Sequence, residues 1–270
     1  MDVSIVIPVL NQLYYTRLCL ESLRTTLPAD SEIIVVDNGS SDGTAEYLSG
    51  CPDIRVITNK ENQGCAAAWN HGVKASHAQW IAILNNDIIL STNWLDGLLD
   101  FAREKNADIV SPAFREGEYN YDIRGYAEDY VRRMHSVSRM AVAQGVCFMV
   151  HRRVFDAIGL FDENFKIGQF EDADFFRRAR QAGFSLGTTG RSFIHHFGSV
   201  TQKSVRGGTV WPYERENRAY YRRKHGLTAW KRIIERRRGK LRALWWRISE
   251  KTLHGHTLTE KWIDGRLRYF

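Results

Sequence analysis

A chain of 270 residues with 43% hydrophobic and 26% charged side chains can bury one substantial core and still solvate its surface, so a single domain with an appendage is expected. No run of eighteen apolar residues occurs, and Met1-Asp2 leads straight into a strand-like run with no charged-then-apolar leader; this excludes a membrane-spanning reading and leads us to expect a soluble or peripheral protein of the cytoplasm. The net charge of +7 fits nucleic acid, an anionic membrane or a phosphate-bearing substrate without choosing among them, although the basic residues crowd the end of the chain, from Arg215 to Arg247.

The elements follow in order. Ser4 to Val9 is short and β-branched and reads as a buried strand ending at Pro8. Leu18, Leu20, Leu23 and Leu27 give the next segment a helical stripe that Pro28 closes. Glu32 to Asp37 is another buried strand, followed by the turn-rich Asn38-Gly39-Ser40-Ser41-Asp42-Gly43. A helix near Thr44 to Leu48, a strand at Ile54 to Thr58, a helix from Cys65 to Ser76 and a strand at Trp80 to Leu84 continue the alternation. Such alternation predicts an α/β fold with a mainly parallel sheet flanked by helices, its ligands gathered at the carboxyl ends of the strands. Arg115 to Arg139 is polar, tyrosine-rich and without clear period, and reads as a substrate-side loop or flap. Order returns with a strand at Gln144 to Val150, a helix around Arg153 to Ile158 and a helix from Glu171 to Ala182. The composition shifts near residue 225, so we divide the chain into a domain over 1–225 and a basic, amphipathic helical extension over 226–270. Cys19, Cys51, Cys65 and Cys147 lack the close pairing of zinc or dithiol sites and read as reduced thiols.

Several clusters of residues could carry chemistry. Leu84-Asn85-Asn86-Asp87 ends a strand in oxygen donors suited to a hard divalent cation, although Asn and Asp serve strand-to-helix turns equally well. Asp37, at the end of the second strand, is placed to accept a hydrogen bond from a nucleobase or ribose, and turn chemistry explains it too. Asn62-Gln63-Gly64 before a run of alanines lets a ligand approach a helix start, or lets that helix pack. In Phe170-Glu171-Asp172-Ala173-Asp174 we assign Asp174 to an ion pair with Arg178 and keep Asp172 as a general base. His195 and His196 point to opposite faces of a strand, so at most one of them joins Asp87 at a metal.

Ser4 to Pro8, Val35 to Thr44, Asn62-Gln63-Gly64, Leu84 to Asp87, Gly159-Leu160-Phe161-Asp162-Glu163 and Phe170-Glu171-Asp172 together resemble glycosyltransferase family 2, over residues 3 to 200. The resemblance implies a GT-A fold and an inverting transferase using a nucleotide-diphosphate sugar, UDP- or dTDP-linked, with Mn²⁺ or Mg²⁺. It places Pro8, Asp37 and Gly64 beside the nucleoside, Asn86 and Asp87 at the diphosphate and metal, His196 on the metal side ahead of His195, and Asp172 as catalytic base. Asn85 stands where many members carry an aspartate, so weaker metal binding is expected; this Asn-Asn-Asp form is familiar among bacterial surface-polysaccharide enzymes, rhamnosyltransferase-like ones included.

The acceptor is expected to be a saccharide, a lipid-linked molecule or a protein, and the residues that choose the sugar are expected to come from Arg115 to Arg139 and the neighbourhood of Gly145 and Trp211. The basic tail with Trp230, Trp245 and Trp246 fits either peripheral contact with the inner face of a membrane or packing on the domain or a second subunit; no motif supports nucleic acid. A sugar nucleotidyltransferase would need a glycine-rich basic loop where Pro8-Val9-Leu10-Asn11-Gln12 stands, and a non-catalytic nucleotide-sugar binder would be free to lose Asp172.

Overall fold

Apolar side chains alternate between two layers from the first strand onward. In the computed structural model, which describes residues 2–28, 31–198, 200 and 213–270, β1 (Val3–Val9) sends Val3, Ile5, Ile7 and Val9 to one side and Val6 to the other. The first side packs on α1 (Leu13–Thr26) through Leu20 and Leu23 and on α4 (Trp94–Lys105) through Trp94, Leu98 and Phe101. The second packs on α3 (Cys65–Ala75) through Trp69, with Phe155 of α6 (Arg152–Ile158) and Phe175 of α7 (Glu171–Gln181). Burying a side chain such as Leu23 fully is worth ~1.5–3 kcal/mol, so the two layers fix the helices on the sheet.

β2 (Glu32–Asp37), followed by α2 (Thr44–Ser49), and β4 (Trp80–Leu84) flank β1, both parallel to it, and β3 (Arg55–Thr58) lies beyond β2. The carboxyl ends of β1, β2 and β4 therefore open on one edge, bringing Pro8, Asp37 and the segment Asn85 to Asp87 to the same side. β8 (Cys147–His151) runs antiparallel beside β4 and joins it to β6 (Ile109–Glu116). The long β9 (Leu186–His196) lies parallel to β6 and receives the short antiparallel strands β5 (Ile88–Leu90) and β7 (Ser138–Met140). The sheet is mixed, mostly parallel at its centre, and helices flank it as expected.

Two expectations are corrected. Arg115 to Arg139 is not a flap: β6 runs to Glu116, and α5 (Ile123–Met134) follows, with the Asp122 carboxylate accepting from the amides of Arg124 and Gly125. Ala127, Tyr130 and Met134 form its buried stripe, which tyrosine and the intervening arginines disguise in the sequence. Nor is 226–270 helical throughout. After α8 (Glu214–Lys224), α9 (Ala229–His254) is the basic helix, but β10 (Thr259–Ile263) and β11 (Arg266–Tyr269) form a hairpin whose first strand lies parallel to β6, so the end of the chain belongs to the sheet.

Arg139 fixes this closing segment. Its Nε and Nη2 donate to the two oxygens of Glu250 at 2.8 and 2.7 Å, Nη2 also reaches the Phe270 carbonyl, and Glu250 accepts from the Leu258 amide. Both side chains are 6% exposed, so removing one partner leaves a buried charge unpaired. Glu250→Ala is expected to cost about 3–5 kcal/mol, read as a lower denaturation midpoint at unchanged slope.

Candidate active site

Asp87 lies where β4 turns over into β5, and His196 at the end of β9 stands beside it because Ile88 pairs with His196 across the two strands. The imidazole Nε2 is 3.5 Å from Asp87 Oδ1, and Asp87 Oδ2 accepts from the Val200 amide. Both groups are buried. His196 Nδ1 is 3.2 Å from Glu116 Oε2, and Lys261 Nζ donates to the other oxygen of Glu116 at 2.7 Å. The sheet register explains the series: Lys261 of β10, Glu116 of β6 and His196 of β9 are direct cross-strand neighbours, so a cation, an anion and an imidazole alternate along one row. Burial works against charge on these groups, yet the hydrogen bonds and charges of Asp87 and Glu116 raise His196 to about 9, and His196 with Lys261 holds Glu116 down to about 2. His195 faces the other way, against Tyr119, Tyr121 and Phe197, with Tyr121 Oη 3.1 Å from its Nδ1, and burial lowers it to about 3.

Asp172 opens α7. The preceding segment takes left-handed backbone at Ile167, Gln169 and Phe170, none of them glycine. Asn217 of α8 holds this segment: its Oδ1 accepts from the Lys166 amide, and its Nδ2 donates to the carbonyls of Lys166 and Gly168. The Cys65 amide donates to the Ile167 carbonyl at 2.8 Å. Gly64, at φ +90°, lies against the Ile167 backbone, where a side chain would be strained. Asn38 ties the two loops together, accepting from Asn59 Nδ2 and the Gln63 amide while donating to Asn62 Oδ1 and the Gly64 carbonyl.

Burial raises both Asp172 and its neighbour Glu171, the latter to about 7 with the Asp172 charge as second cause. Glu171 Oε2 is buried with no hydrogen-bond partner, whereas Asp172 Oδ1 accepts from the Ala173 amide. A proton shared by the pair therefore favours Glu171 and leaves Asp172 the charged member. Asp174 points away, bonded to Arg178 at 2.8 Å and His225 at 2.8 Å at the end of α8.

A cavity of about 620 Å³ brings Pro8, Asn86, Asp87, Asp172 and His196 together, with Gln144 and Gly145 beside them. Asn86 donates its amide to Thr16 of α1 at 3.0 Å. Asp37 and Gly64 do not line the cavity, although their neighbours Asn38, Asn62 and Cys65 do. Asp37 Oδ1 accepts from the Ser40 amide, and its buried Oδ2 lacks a partner. None of residues 115–139 lines the cavity, which corrects the expectation that they choose the sugar; Trp211 lies outside the described residues. Glu116, Lys261 and Asn217 escaped sequence reasoning because each acts on a residue at least about 50 positions away.

The profile of glycosyl transferase family 2 matches residues 4–159. The chain belongs to that family. It is a glycosyltransferase with the GT-A fold. It is 29% identical over 253 residues to the glycosyltransferase AglE of Haloferax volcanii, covering 84% of this chain and 79% of that one. It is 31% identical over 124 residues to the glycosyltransferase GlyG of Streptococcus pneumoniae, covering 44% of this chain and 40% of that one. Among solved structures it resembles GalNAc-T7 with UDP, GalNAc and Mn²⁺ (TM-score 0.58, 19% identity, 72% of this chain) and residues 1–349 of S. aureus TarS in complex with UDP-GlcNAc (TM-score 0.58, 16% identity, 72% of this chain). The match spans 43% and 58% of those two chains.

Two outcomes test the Asp172 neighbourhood. A methyl group at Gly145 would lie 2.1 Å from Asp172 Oδ2, so Gly145→Ala is expected to lower glycosyl transfer about 10²-fold by displacing the carboxylate, at near-normal melting temperature. Because Glu171 is raised, the folded protein keeps a proton there that the unfolded chain has released. Its contribution to stability therefore falls as pH rises from 4.5 to about 7 and is constant above. Thermal melts should show Glu171→Gln gaining on the parent across that window, with no gain below it.

Proposed function

We propose that this glycosyltransferase is inverting and metal-dependent, moving a sugar from a UDP- or dTDP-sugar to an acceptor hydroxyl in surface polysaccharide or glycoconjugate synthesis on the cytoplasmic side of the membrane. The observation that carries this reading is a single cavity lined both by Asp172 and by the Asp87–His196 pair. Asp172 removes the acceptor proton as the acceptor oxygen forms its bond to the anomeric carbon. The bond from that carbon to the diphosphate breaks on the opposite face, and the nucleoside diphosphate leaves with the electron pair. Configuration at the carbon is thereby inverted.

Asp87 offers a carboxylate oxygen that fits Mn²⁺ or Mg²⁺, and His196 would join it as a neutral imidazole, giving up the proton that Asp87 and Glu116 hold on it in the ion's absence. Among the described residues no group of three or more histidine, cysteine, aspartate or glutamate side chains is placed to hold a metal ion, so Asp87 and His196 would hold it only together with substrate phosphates. When bound, the ion neutralises charge developing on the leaving diphosphate. Pro8 lines the cavity at the nucleoside end; Asp37, whose buried Oδ2 lacks a partner, and Gly64 do not line it and are assigned to the nucleoside through their neighbours Asn38 and Cys65, which do. Asn86 is assigned to the diphosphate. UDP, GalNAc and Mn²⁺ in one similar fold and UDP-GlcNAc in another support the donor class.

The test is a panel of nucleotide sugars with and without Mn²⁺, following binding and nucleoside diphosphate release. Asp172→Asn is expected to keep donor binding and lose about 10²–10⁴-fold in turnover, and Asp87→Ala to lose the metal dependence of donor binding. A folded protein that binds no nucleotide sugar would sink the proposal. Turnover undiminished in Asp172→Asn would assign the base elsewhere, and donor binding with no transfer to any acceptor would favour a nucleotide-sugar binder.

A further inference from the structure

α9 wears its apolar residues on the outside. Trp230, Ile234, Leu241, Trp245 and Ile248 follow one another at intervals of three, four or seven residues, which places them in one narrow arc of the helix. All are exposed, Trp230 to 75% and Trp245 to 66%. The opposite side faces the domain: Glu235 meets Arg177 of α7 at 3.3 Å, Trp246 lies under Arg139, and Glu250 is the one buried residue of the helix. Nine lysines and arginines accompany only two acids, Glu250, which is buried against Arg139, and Glu235, which is 52% exposed and pairs with Arg177. Lys231, Arg238 and Arg242 flank the apolar row on one side, and Lys240 and Arg247 on the other, all exposed to solvent.

We propose that this face of α9 lies in the interfacial plane of an anionic bilayer, with the tryptophans and aliphatic residues among the acyl-chain boundary and the basic flanks against lipid headgroups. Charge selects the occupant. A second copy would set one strongly cationic helix against another, and nucleic acid would satisfy the arginines while leaving the tryptophan–isoleucine row in water. An anionic lipid surface meets both requirements at once. No helix among the described residues is long and apolar enough to cross a membrane, so contact of this kind is in-plane. The Arg177–Glu235 pair ties α9 to α7, the helix whose first turn carries Asp172, so a protein seated this way holds its candidate base on the bilayer side of the domain. The acceptor class that follows is a hydroxyl on a lipid-linked molecule; this consequence rests on the transferase reading, whereas the membrane contact does not.

The full chain is sedimented with vesicles of phosphatidylcholine alone and of phosphatidylcholine mixed with phosphatidylglycerol. Two variants are compared with it, one carrying Trp230→Ser, Leu241→Ser and Trp245→Ser, the other Arg238→Gln, Arg242→Gln and Arg247→Gln. All six positions are exposed, so folding and nucleotide-sugar binding should be unchanged. The parent is expected to bind only the anionic vesicles, and each variant to bind them at least about tenfold more weakly. Absence of binding to anionic vesicles at low salt overturns the proposal. So does undiminished binding of the serine variant, which would make the contact one of charge alone, or a dimer in solution that the serine variant disperses and that ignores vesicles. A chain that binds vesicles but no nucleotide sugar would sink the transferase reading and leave the membrane contact standing.

Discussion

A carboxylate buried as deeply as Asp87 is tolerated only if positive charge or hydrogen-bond donors surround it, and the sheet is arranged around that requirement. β5 folds back on β9 so that His196 comes within reach, and β6 and β10 extend the same row with Glu116 and Lys261. Each charge is answered by its neighbour on the next strand, so the orientation of the imidazole ring depends on a lysine contributed by the closing hairpin. The Asp87–His196 pair facing the cavity is thus a property of four strands and not of the Asn-Asn-Asp turn alone.

The other half of the site is organised by backbone conformation. Ile167, Gln169 and Phe170 adopt left-handed backbone at a cost of order 1–3 kcal/mol each, and such strain persists only where neighbours impose it. Here the neighbours are Asn217, the Cys65 amide and the Gly64 backbone. What the strain secures is the position of Asp172, pressed against a residue with no side chain.

Those elements whose evidence is local were legible in the sequence. β1 and β2 announce themselves by runs of β-branched residues, α3 by its alanines, and the Asn-Asn-Asp and Glu-Asp segments by donors at the ends of elements. α5 is hidden because its core stripe is built on Tyr130 and Met134 among arginines, which leaves the segment without a clear apolar period. The β10–β11 hairpin was hidden for a different reason: its partner, β6, lies about 140 residues earlier, and no local period reports a pairing of that span. The same distance concealed Glu116 and Lys261 as companions of His196, whereas Asp87 and His196 could be associated through the order of motifs.

The placement of Lys261 also bears on how the protein is made. The strands β1 to β4 leave the ribosome together and are able to pair early, but the edge position beside β6 is filled by residues synthesised after every motif of the site has emerged. Until then Glu116 stands next to His196 without its lysine, and the row of alternating charges is one member short. The row beside Asp87 is therefore completed only once the β10–β11 hairpin has been made, so a nascent chain carries β1 to β4 and their loops before it carries the full row.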